Sequence, residues 1–241
     1  MDFIKFRNRM DLILSMPITI VFNFYYLPFK QAIKLPILLY RPTLWGLTGK
    51  IVIKCDNVRF GIIHLGRWNS VMLQKKGFWL KNSGTIIFRG NVDLGAGTSI
   101  MVANNAILDI GNRVGCAVGL NIDCRYKITI NGPTRFGWDV IIMDSAMHLT
   151  KYMDGRYTGK GYRETIIGKN NWITTKCIIQ AGTKTPDYCI AATGSLLNKD
   201  YSNEESYCLM AGSPAKVKKT GIWRDFDDCK IEYEIPNVDN L

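Results

Sequence analysis

The chain has 241 residues, enough for one sizeable domain with a short appendage. Hydrophobic residues make up 47% and charged residues 21%, a balance that excludes a disordered chain. The formal charge of +11 favours an anionic partner, such as nucleic acid, an acidic membrane surface or a phosphorylated cofactor. The seven cysteines are odd in number, form no CxxC pair and follow no cleavable signal peptide. We therefore expect reduced, mostly buried thiols and a cytoplasmic protein.

The first 47 residues differ from the rest. The stretch from Leu12 to Phe29 is apolar and aromatic, but Pro17 and Pro28 interrupt it and basic residues flank it. A spanning helix needs about 20 mostly apolar residues, so we do not expect one here. Residues 1–47 are interpreted as an N-terminal arm that packs on the main domain or rests at the inner surface of a membrane, with packing favoured.

A six-residue repeat dominates the remainder. From Ile167 the pieces are IGKNNW, ITTKCI, IQAGTK, TPDYCI, AATGSL and LNKDYS. The leading positions are Ile167, Ile173, Ile179, Thr185, Ala191 and Leu197, and the fifth positions are Asn171, Cys177, Thr183, Cys189, Ser195 and Tyr201. Earlier blocks keep the period with shifts of phase, led by Phe88, Leu94, Ile100, Ile110, Cys116, Ile122, Ile130, Phe136 and Ile142.

This period matches neither an α-helix nor a simple alternating strand. Six residues can form one short strand and one corner, with the leading residue and the small residue two places before it pointing inward. Three such units close one triangular turn, and stacked turns pair strand to strand at about 4.8 Å. We assign the repeat domain to residues 48–212 and a C-terminal tail to residues 213–241.

One interval breaks the repeat. Ile142 and Ile167 are 25 residues apart, and the second half of the interval, KYMDGRYTGKGYRE, lacks aliphatic anchors. Residues 145–165 are therefore predicted to form a loop that leaves the repeat at a corner. Long loops on a regular scaffold often carry function.

The run IGKNNWITTKCIIQAGTKTPDYCIAATGSLLNKD, followed by AGSPAKVKK, resembles the C-terminal half of hexapeptide-repeat O-acetyltransferases. The segment GWDVIIMDSAMH is similar to the active-site entry of the branch that modifies surface polysaccharides, and the resemblance covers roughly residues 48–220. It implies an all-β fold, a left-handed parallel β-helix, against the usual right-handed rule for parallel crossovers. It also implies a homotrimer with each active site in a cleft between two subunits, acetyl-CoA as co-substrate, a sugar hydroxyl as acceptor and no metal.

A general base is needed because a sugar hydroxyl is a poor nucleophile while protonated. The resemblance places this base at His148, at the start of the predicted loop. The other histidine, His64, lies in an early coil and is expected to be structural. Asp144 could orient the imidazole or hold the acceptor, or it could cap its own backbone at a corner. The sequence does not identify an oxyanion donor, and a backbone N–H is expected.

The resemblance also implies a set of cofactor contacts. Trp172 matches a tryptophan that lines the cleft, Thr175 and Thr193 match contacts to the pantetheine arm, and Asn198 and Lys199 match positions near the adenine. Two further residues, Lys216 and Lys219, match basic residues that meet the phosphates, where lysine acts as a point charge.

Other functions agree less well with the sequence. A β-helix carbonic anhydrase needs three histidine ligands for zinc, and two histidines cannot supply them. A nucleic-acid binder would suit the charge, but no recognition motif occurs. N-acetylation of an amino sugar and a non-catalytic β-helix scaffold remain alternatives to O-acetylation in surface polysaccharide biosynthesis.

Overall fold

The structure is a computed structural model that describes residues 3–70 and 76–226. Its helices are α1 (Phe3–Tyr26) and α2 (Phe29–Ala32). The strands of the first four coils are β1 (Ile37–Leu39), β2 (Pro42–Trp45), β3 (Lys50–Ile53), β4 (Ile63–Arg67), β5 (Phe78–Asn82), β6 (Thr85–Phe88), β7 (Val92–Gly95), β8 (Thr98–Val102), β9 (Ile107–Ile110), β10 (Val114–Val118), β11 (Asn121–Cys124) and β12 (Lys127–Ile130). The later strands are β13 (Thr134–Trp138), β14 (Ile141–Met143), β15 (Thr165–Ile167), β16 (Asn171–Ile173), β17 (Ile178–Ile179), β18 (Cys189–Ala191), β19 (Leu196–Leu197), β20 (Cys208–Gly212) and β21 (Ala215–Thr220).

Successive strands wind around a three-sided prism. Up to β17 every third strand joins the same sheet, and beyond it, where face C has no further named strand, β18 follows β16, β19 follows β17 and β20 follows β18. Face A has the order β1-β4-β7-β10-β13-β16-β18-β20-β21, face B has β19-β17-β14-β11-β8-β5-β2, and face C has β15-β12-β9-β6-β3. All pairs are parallel except β20 with β21. The protein is a left-handed parallel β-helix, as the sequence predicted.

The core is a column of side chains stacked in register. On the inner side of face A, for example, Phe136 lies over Ile173, and Ile173 over Ala191. The leading and fifth positions of the six repeat units from Ile167 are all buried, and so are the nine earlier leading positions. The predicted inward orientation is therefore confirmed. Full burial of each large aliphatic side chain contributes roughly 1.5–3 kcal/mol.

The corners depend on residues that tolerate a positive φ. Gly182 and Gly194 turn two corners with φ of 84° and 73°, a region that glycine enters without steric cost. The cysteines other than Cys229 are free thiols, buried apart from the half-exposed Cys55, whereas Cys229 lies outside the described residues.

Helix α1 closes the open end of the prism. The first strand of face A would otherwise leave backbone groups unpaired on its outer edge. Polar residues spaced four apart on one side of α1 are buried against this edge, namely Asp11, Ser15, Thr19 and Asn23. The Asn23 amide donates to the carbonyl of Ile37 at 2.8 Å and accepts from its N–H at 3.1 Å.

Three further residues of α1 extend this cap. The Ser15 hydroxyl accepts from the N–H of Arg41 at 2.9 Å, and the Thr19 hydroxyl accepts from the N–H of Leu39 at 3.3 Å. The buried carboxylate of Asp11 accepts from the guanidinium of Arg41 at 2.5 Å. The polar side of α1 therefore pairs the edge of the first coil in place of another strand.

The N-terminal region differs from the expectation in two respects. Helix α1 continues through Pro17, where a break was expected, because its polar side is held by the coil edge on both sides of the proline. The prism begins at Ile37, so the predicted arm of residues 1–47 includes the first two strands. In the described part of the chain, no helix has the length and hydropathy needed to cross a bilayer.

The C-terminal segment remains part of the prism at first. Strand β21 turns back antiparallel on β20 and completes face A. Residues 227–241 of the predicted tail lie outside the described residues.

Replacing Asn23 with alanine tests the cap. Asn23→Ala leaves the N–H and carbonyl of Ile37 without these partners, so we expect the free energy of unfolding to fall by roughly 2–4 kcal/mol. Phe24→Ala, on the exposed side of the same helix, should change it by less than about 0.5 kcal/mol. Urea unfolding of both variants measures the difference. A larger loss for Phe24→Ala than for Asn23→Ala would contradict the described orientation of α1.

Candidate active site

A long loop leaves the prism where face B meets face C. It connects Met143, the last residue of β14, to Thr165, the first of β15, and its residues are mostly exposed. Two isolated antiparallel bridges, Ser145 with Tyr162 and Lys151 with Tyr157, give it a hairpin-like path. The loop of the structure spans residues 144–164, so it starts and ends one residue before the predicted 145–165.

The loop is fixed at its base by Asp144. This carboxylate is fully buried and accepts from the backbone N–H of Arg125 at 2.7 Å and of Tyr126 at 2.8 Å. The thiol of Cys124 also donates to it at 3.6 Å. Burial and the nearby carboxylate raise the pKa of Cys124, so that residue stays a neutral donor.

Asp144 has the contacts of a corner cap, which is one of the two roles predicted for it. Both carboxylate oxygens accept from the backbone of the preceding coil, as a corner cap does. The backbone carbonyl of Asp144 also accepts from the N–H of Arg163 at 2.9 Å, which joins the two ends of the loop. The carboxylate therefore holds the loop where it leaves the prism, and a role beside the imidazole stays a prediction.

His148 lies four residues beyond this anchor and is exposed. It lines a cavity of about 290 Å³ together with Thr150, Thr158, Lys160 and Tyr162. Among the described residues, none forms a hydrogen bond with its ring. The exposed ring is therefore open to a ligand.

The remaining histidine has different surroundings. His64 lies on the outer side of β4, and the hydroxyl of Tyr40 is 2.9 Å from its Nδ1. Burial lowers the pKa of His64, and the positive charge of Arg67 lowers it further. The structure places it several coils before the loop, in contact with residues of the first three coils.

The predicted cofactor residues lie partly on the outer side of face A. Strand register aligns one outward row across five strands, formed by Arg135, Trp172, Ile190, Leu209 and Lys219. Trp172 and Lys219 are three strand spacings apart, about 14 Å. This row forms a surface that runs along the prism.

A β-bulge brings the second lysine onto the same side. The register between β20 and β21 shifts between Leu209 and Met210, so that Lys219 is opposite Leu209 and Lys216 is opposite Ala211. In a regular strand, residues three apart would face opposite sides of the sheet. Because Lys218 is the extra residue, Lys216 and Lys219 both face outward, and all three lysines are exposed.

The other predicted residues occupy two corners. Thr175 and Thr193 lie in successive coils where face A meets face B, and the carbonyl of Thr175 accepts from the N–H of Gly194 at 3.0 Å. Asn198 and Lys199 lie where face B meets face C, two coils beyond His148. The Lys199 ammonium is 5.0 Å from the ring centroid of Tyr201 and 3.8 Å from Glu204.

A single chain therefore brings together only part of the predicted site. The corner between faces B and C holds His148, Asn198 and Lys199. Face A carries Trp172, Lys216 and Lys219, and the corner between faces A and B holds Thr175 and Thr193. All predicted residues are among those described. In the described residues no cluster of His, Cys, Asp and Glu could hold a metal ion.

The sequence did not predict how residues 221–226 pack against face A. The guanidinium of Arg224 is 5.1 Å from the ring centroid of Trp172, and Trp223 meets Tyr188 edge to face. Tyr188 in turn stacks on Tyr207 at 4.3 Å. The aromatic residues Trp223 and Phe226 in this segment were the available signal, but no repeat placed them in register.

Comparison with known proteins supports the fold. No protein-family model and no curated protein matches the sequence significantly. Among solved structures, the chain is similar to the polySia specific acetyltransferase NeuO, with a TM-score of 0.51, 20% identity, and coverage of 79% of this chain and 90% of that one. The polysialic acid O-acetyltransferase OatWY also matches, with a TM-score of 0.35, 17% identity, and coverage of 83% and 99%. The likeness to NeuO establishes a shared fold.

Substitution of Asp144 tests its part in holding the loop. In Asp144→Asn one accepting oxygen becomes an amide that cannot accept from the facing N–H, so we expect a loss of roughly 1–3 kcal/mol in unfolding free energy. The exposed Asp154 on the same loop serves as the control, and Asp154→Asn should leave stability nearly unchanged. Equal stability of Asp144→Asn and the parent chain in urea unfolding would contradict the anchoring role.

Proposed function

We propose that the chain transfers an acetyl group from acetyl-CoA to a sugar hydroxyl in the synthesis of surface polysaccharide. The observation that carries this proposal is the open imidazole of His148 on a loop that protrudes from a left-handed β-helix. The motifs that resemble polysaccharide O-acetyltransferases support it, as does the fold shared with an acetyltransferase specific for polySia. A cytoplasmic site suits the free thiols.

His148 would act as the general base. Its ring nitrogen accepts the proton of the acceptor hydroxyl while that oxygen forms a bond to the carbonyl carbon of the thioester. The imidazolium then returns the proton to the sulfur as the C–S bond breaks, which leaves an acetyl ester and a free thiol. Acetyl-CoA, when bound, supplies the activated acetyl group for this exchange. Asp144 would act as a positioning residue, since it fixes the start of the loop that carries the base.

The outer side of face A has the chemistry that a phosphorylated cofactor needs. Trp172 is partly exposed beside the guanidinium of Arg224, and Lys216 and Lys219 project positive charge from the same face. An ammonium attracts phosphate as a point charge. Thr175 and Thr193 lie at the adjoining corner, where their backbone groups could contact a pantetheine arm, while Asn198 and Lys199 would meet the adenine end from the other corner.

A homotrimer would complete the site. Since face B separates the His148 corner from Trp172 within one chain, the base of one protomer would serve the cofactor surface of the next. Face B also presents an outward groove of about 430 Å³ in which Trp45, Trp79, Met101 and Ile141 take part. Exposed apolar surface of this kind is typical of a subunit interface.

Loss of the base gives the first test. His148→Ala should lower kcat for acetyl transfer by roughly 10²–10⁴-fold, with little change in melting temperature because the side chain is exposed. His64→Asn is the matched control and should retain the rate. Transfer is measured by release of the CoA thiol and by mass spectrometry of the glycan. An acetyl group that mild alkali removes is an ester, whereas a resistant one is an amide and would favour an amino sugar.

Two outcomes would overturn the proposal. Unchanged transfer by His148→Ala would remove the base. Absence of any acetyl transfer by the parent chain to surface glycans would favour a non-catalytic scaffold.

Complementation between inactive variants tests the shared cleft. His148→Ala and Trp172→Ala should each form weakly active homotrimers, since each lacks one side of every cleft. If each cleft lies between neighbours, random assortment of equal amounts of the two variants gives both native residues to about a quarter of the clefts. Co-folded mixtures should therefore regain about a quarter of the parent activity. Mixtures no more active than the average of the two variants would contradict the shared site.

A further inference from the structure

Helix α1 has the reverse of the usual orientation for a surface helix. A surface helix normally buries its apolar side and exposes its polar side. Here the polar residues that contact the first coil are buried, and the opposite side is apolar and exposed. The packing of α1 on the prism therefore leaves most of its apolar side exposed.

The apolar side is continuous. Between residues 10 and 25 every exposed residue of α1 is apolar or aromatic, namely Met10, Ile13, Leu14, Pro17, Ile18, Ile20, Val21, Phe24 and Tyr25. Ile13, Leu14 and Val21 are 63%, 66% and 61% exposed. Phe29 and Ile33 extend the same surface beyond the helix, at 68% and 61%. A continuous apolar surface of this length marks an interaction site.

Positive charge is found at both ends of this surface. Lys5 and Arg9 are exposed near the start of α1, and Lys30 and Lys34 are exposed within and after α2. The one acidic side chain among the described residues of α1, Asp11, is buried and paired with Arg41. The exposed surface of α1 and α2 therefore combines an apolar centre with exclusively basic ends.

This charge distribution disfavours a second copy as the partner. Antiparallel pairing of two α1 helices would place Arg9 near Lys30 of the other copy, and parallel pairing would place identical basic ends together. Like charges meet in both arrangements, and such juxtaposition opposes association. A bilayer that contains anionic lipid complements both features, because its acyl region accepts the apolar side and its headgroups attract the basic ends.

We propose that α1 and α2 form a membrane-surface anchor that lies in the plane of an anionic lipid bilayer, while the polar side of α1 holds the prism. A helix of 24 residues is about 36 Å long. In this position its axis would follow the interface with the apolar side inserted to about 5–10 Å. The anchor does not depend on the proposed acetyl transfer, since it rests on residues at the end of the prism far along the chain from His148.

Vesicle flotation of the full chain tests the anchor. The probes are vesicles of phosphatidylcholine alone and vesicles of phosphatidylcholine and phosphatidylglycerol in roughly 3:1 ratio. We expect binding to the anionic vesicles that is at least about 10-fold stronger and that weakens as salt is raised. Ile13→Glu with Val21→Glu should lower this binding about 10-fold or more, because two charges then face the acyl region.

Matched variants separate the apolar and the basic contributions. Ile107→Glu adds a charge on face C, at a side chain exposed to 38%, and should leave binding unchanged. Arg9→Gln with Lys30→Gln should reduce the preference for anionic vesicles while keeping the fold. Circular dichroism and urea unfolding confirm that each variant remains folded.

Three results would overturn the proposal. The first is the absence of binding to either vesicle by the parent chain. The second is binding that Ile13→Glu with Val21→Glu leaves unchanged in a folded protein. The third is concentration-dependent assembly without vesicle binding that the same two substitutions abolish, which would identify a second copy as the partner.

Discussion

The register of side chains stacked inside the prism is the constraint on which the other features depend. Parallel strands at a fixed spacing align each inward residue with its counterpart in the next coil, as Phe136, Ile173 and Ala191 do on face A. Because alternate residues point to opposite sides, this inner row also fixes the outer row that contains Trp172 and Lys219. A shift by one residue would bury the outer row and expose the core. The same stacking leaves additional residues only at corners, which is where the loop with His148 leaves the prism.

An open-ended column needs closure, and the two ends of this one are closed differently. At the C-terminal end, β21 reverses on β20, and its bulge directs both Lys216 and Lys219 outward. At the N-terminal end a helix takes the place of a strand, and its polar side chains pair the backbone of β1. The first closure shapes the proposed cofactor surface and the second leaves the proposed membrane anchor exposed. If protomers assemble side by side and parallel, their anchors all lie at one end of the assembly, and several weak contacts would then combine.

The six-residue period was sufficient to predict short parallel strands wound around a three-sided prism, the inward positions and a loop at a corner, because each repeat contains a complete local pattern. The left-handed winding followed only from the resemblance to hexapeptide-repeat O-acetyltransferases. The orientation of α1 was not predicted, although its signal is present in the spacing of Asp11, Ser15, Thr19 and Asn23. That spacing indicates a buried polar side only where the helix lies beside an unpaired strand edge. The sequence does not show where such an edge is. The prolines suggested a break, but tertiary contacts on both sides of Pro17 hold the helix together. The bulge at Lys218 and the packing of Arg224 on Trp172 also depend on register between strands, and no local pattern encodes it.

The proposed activity requires a division of the site between neighbouring protomers. One protomer supplies the base from its corner between faces B and C, and its neighbour supplies the cofactor surface on face A. A crystal structure of the trimer with bound coenzyme A tests this division most directly. The account predicts that the thiol lies within hydrogen-bonding reach of His148 of one protomer, while the rest of the molecule follows Trp172 and the β21 lysines of its neighbour. Coenzyme A bound within a single protomer, or bound away from His148, would contradict it.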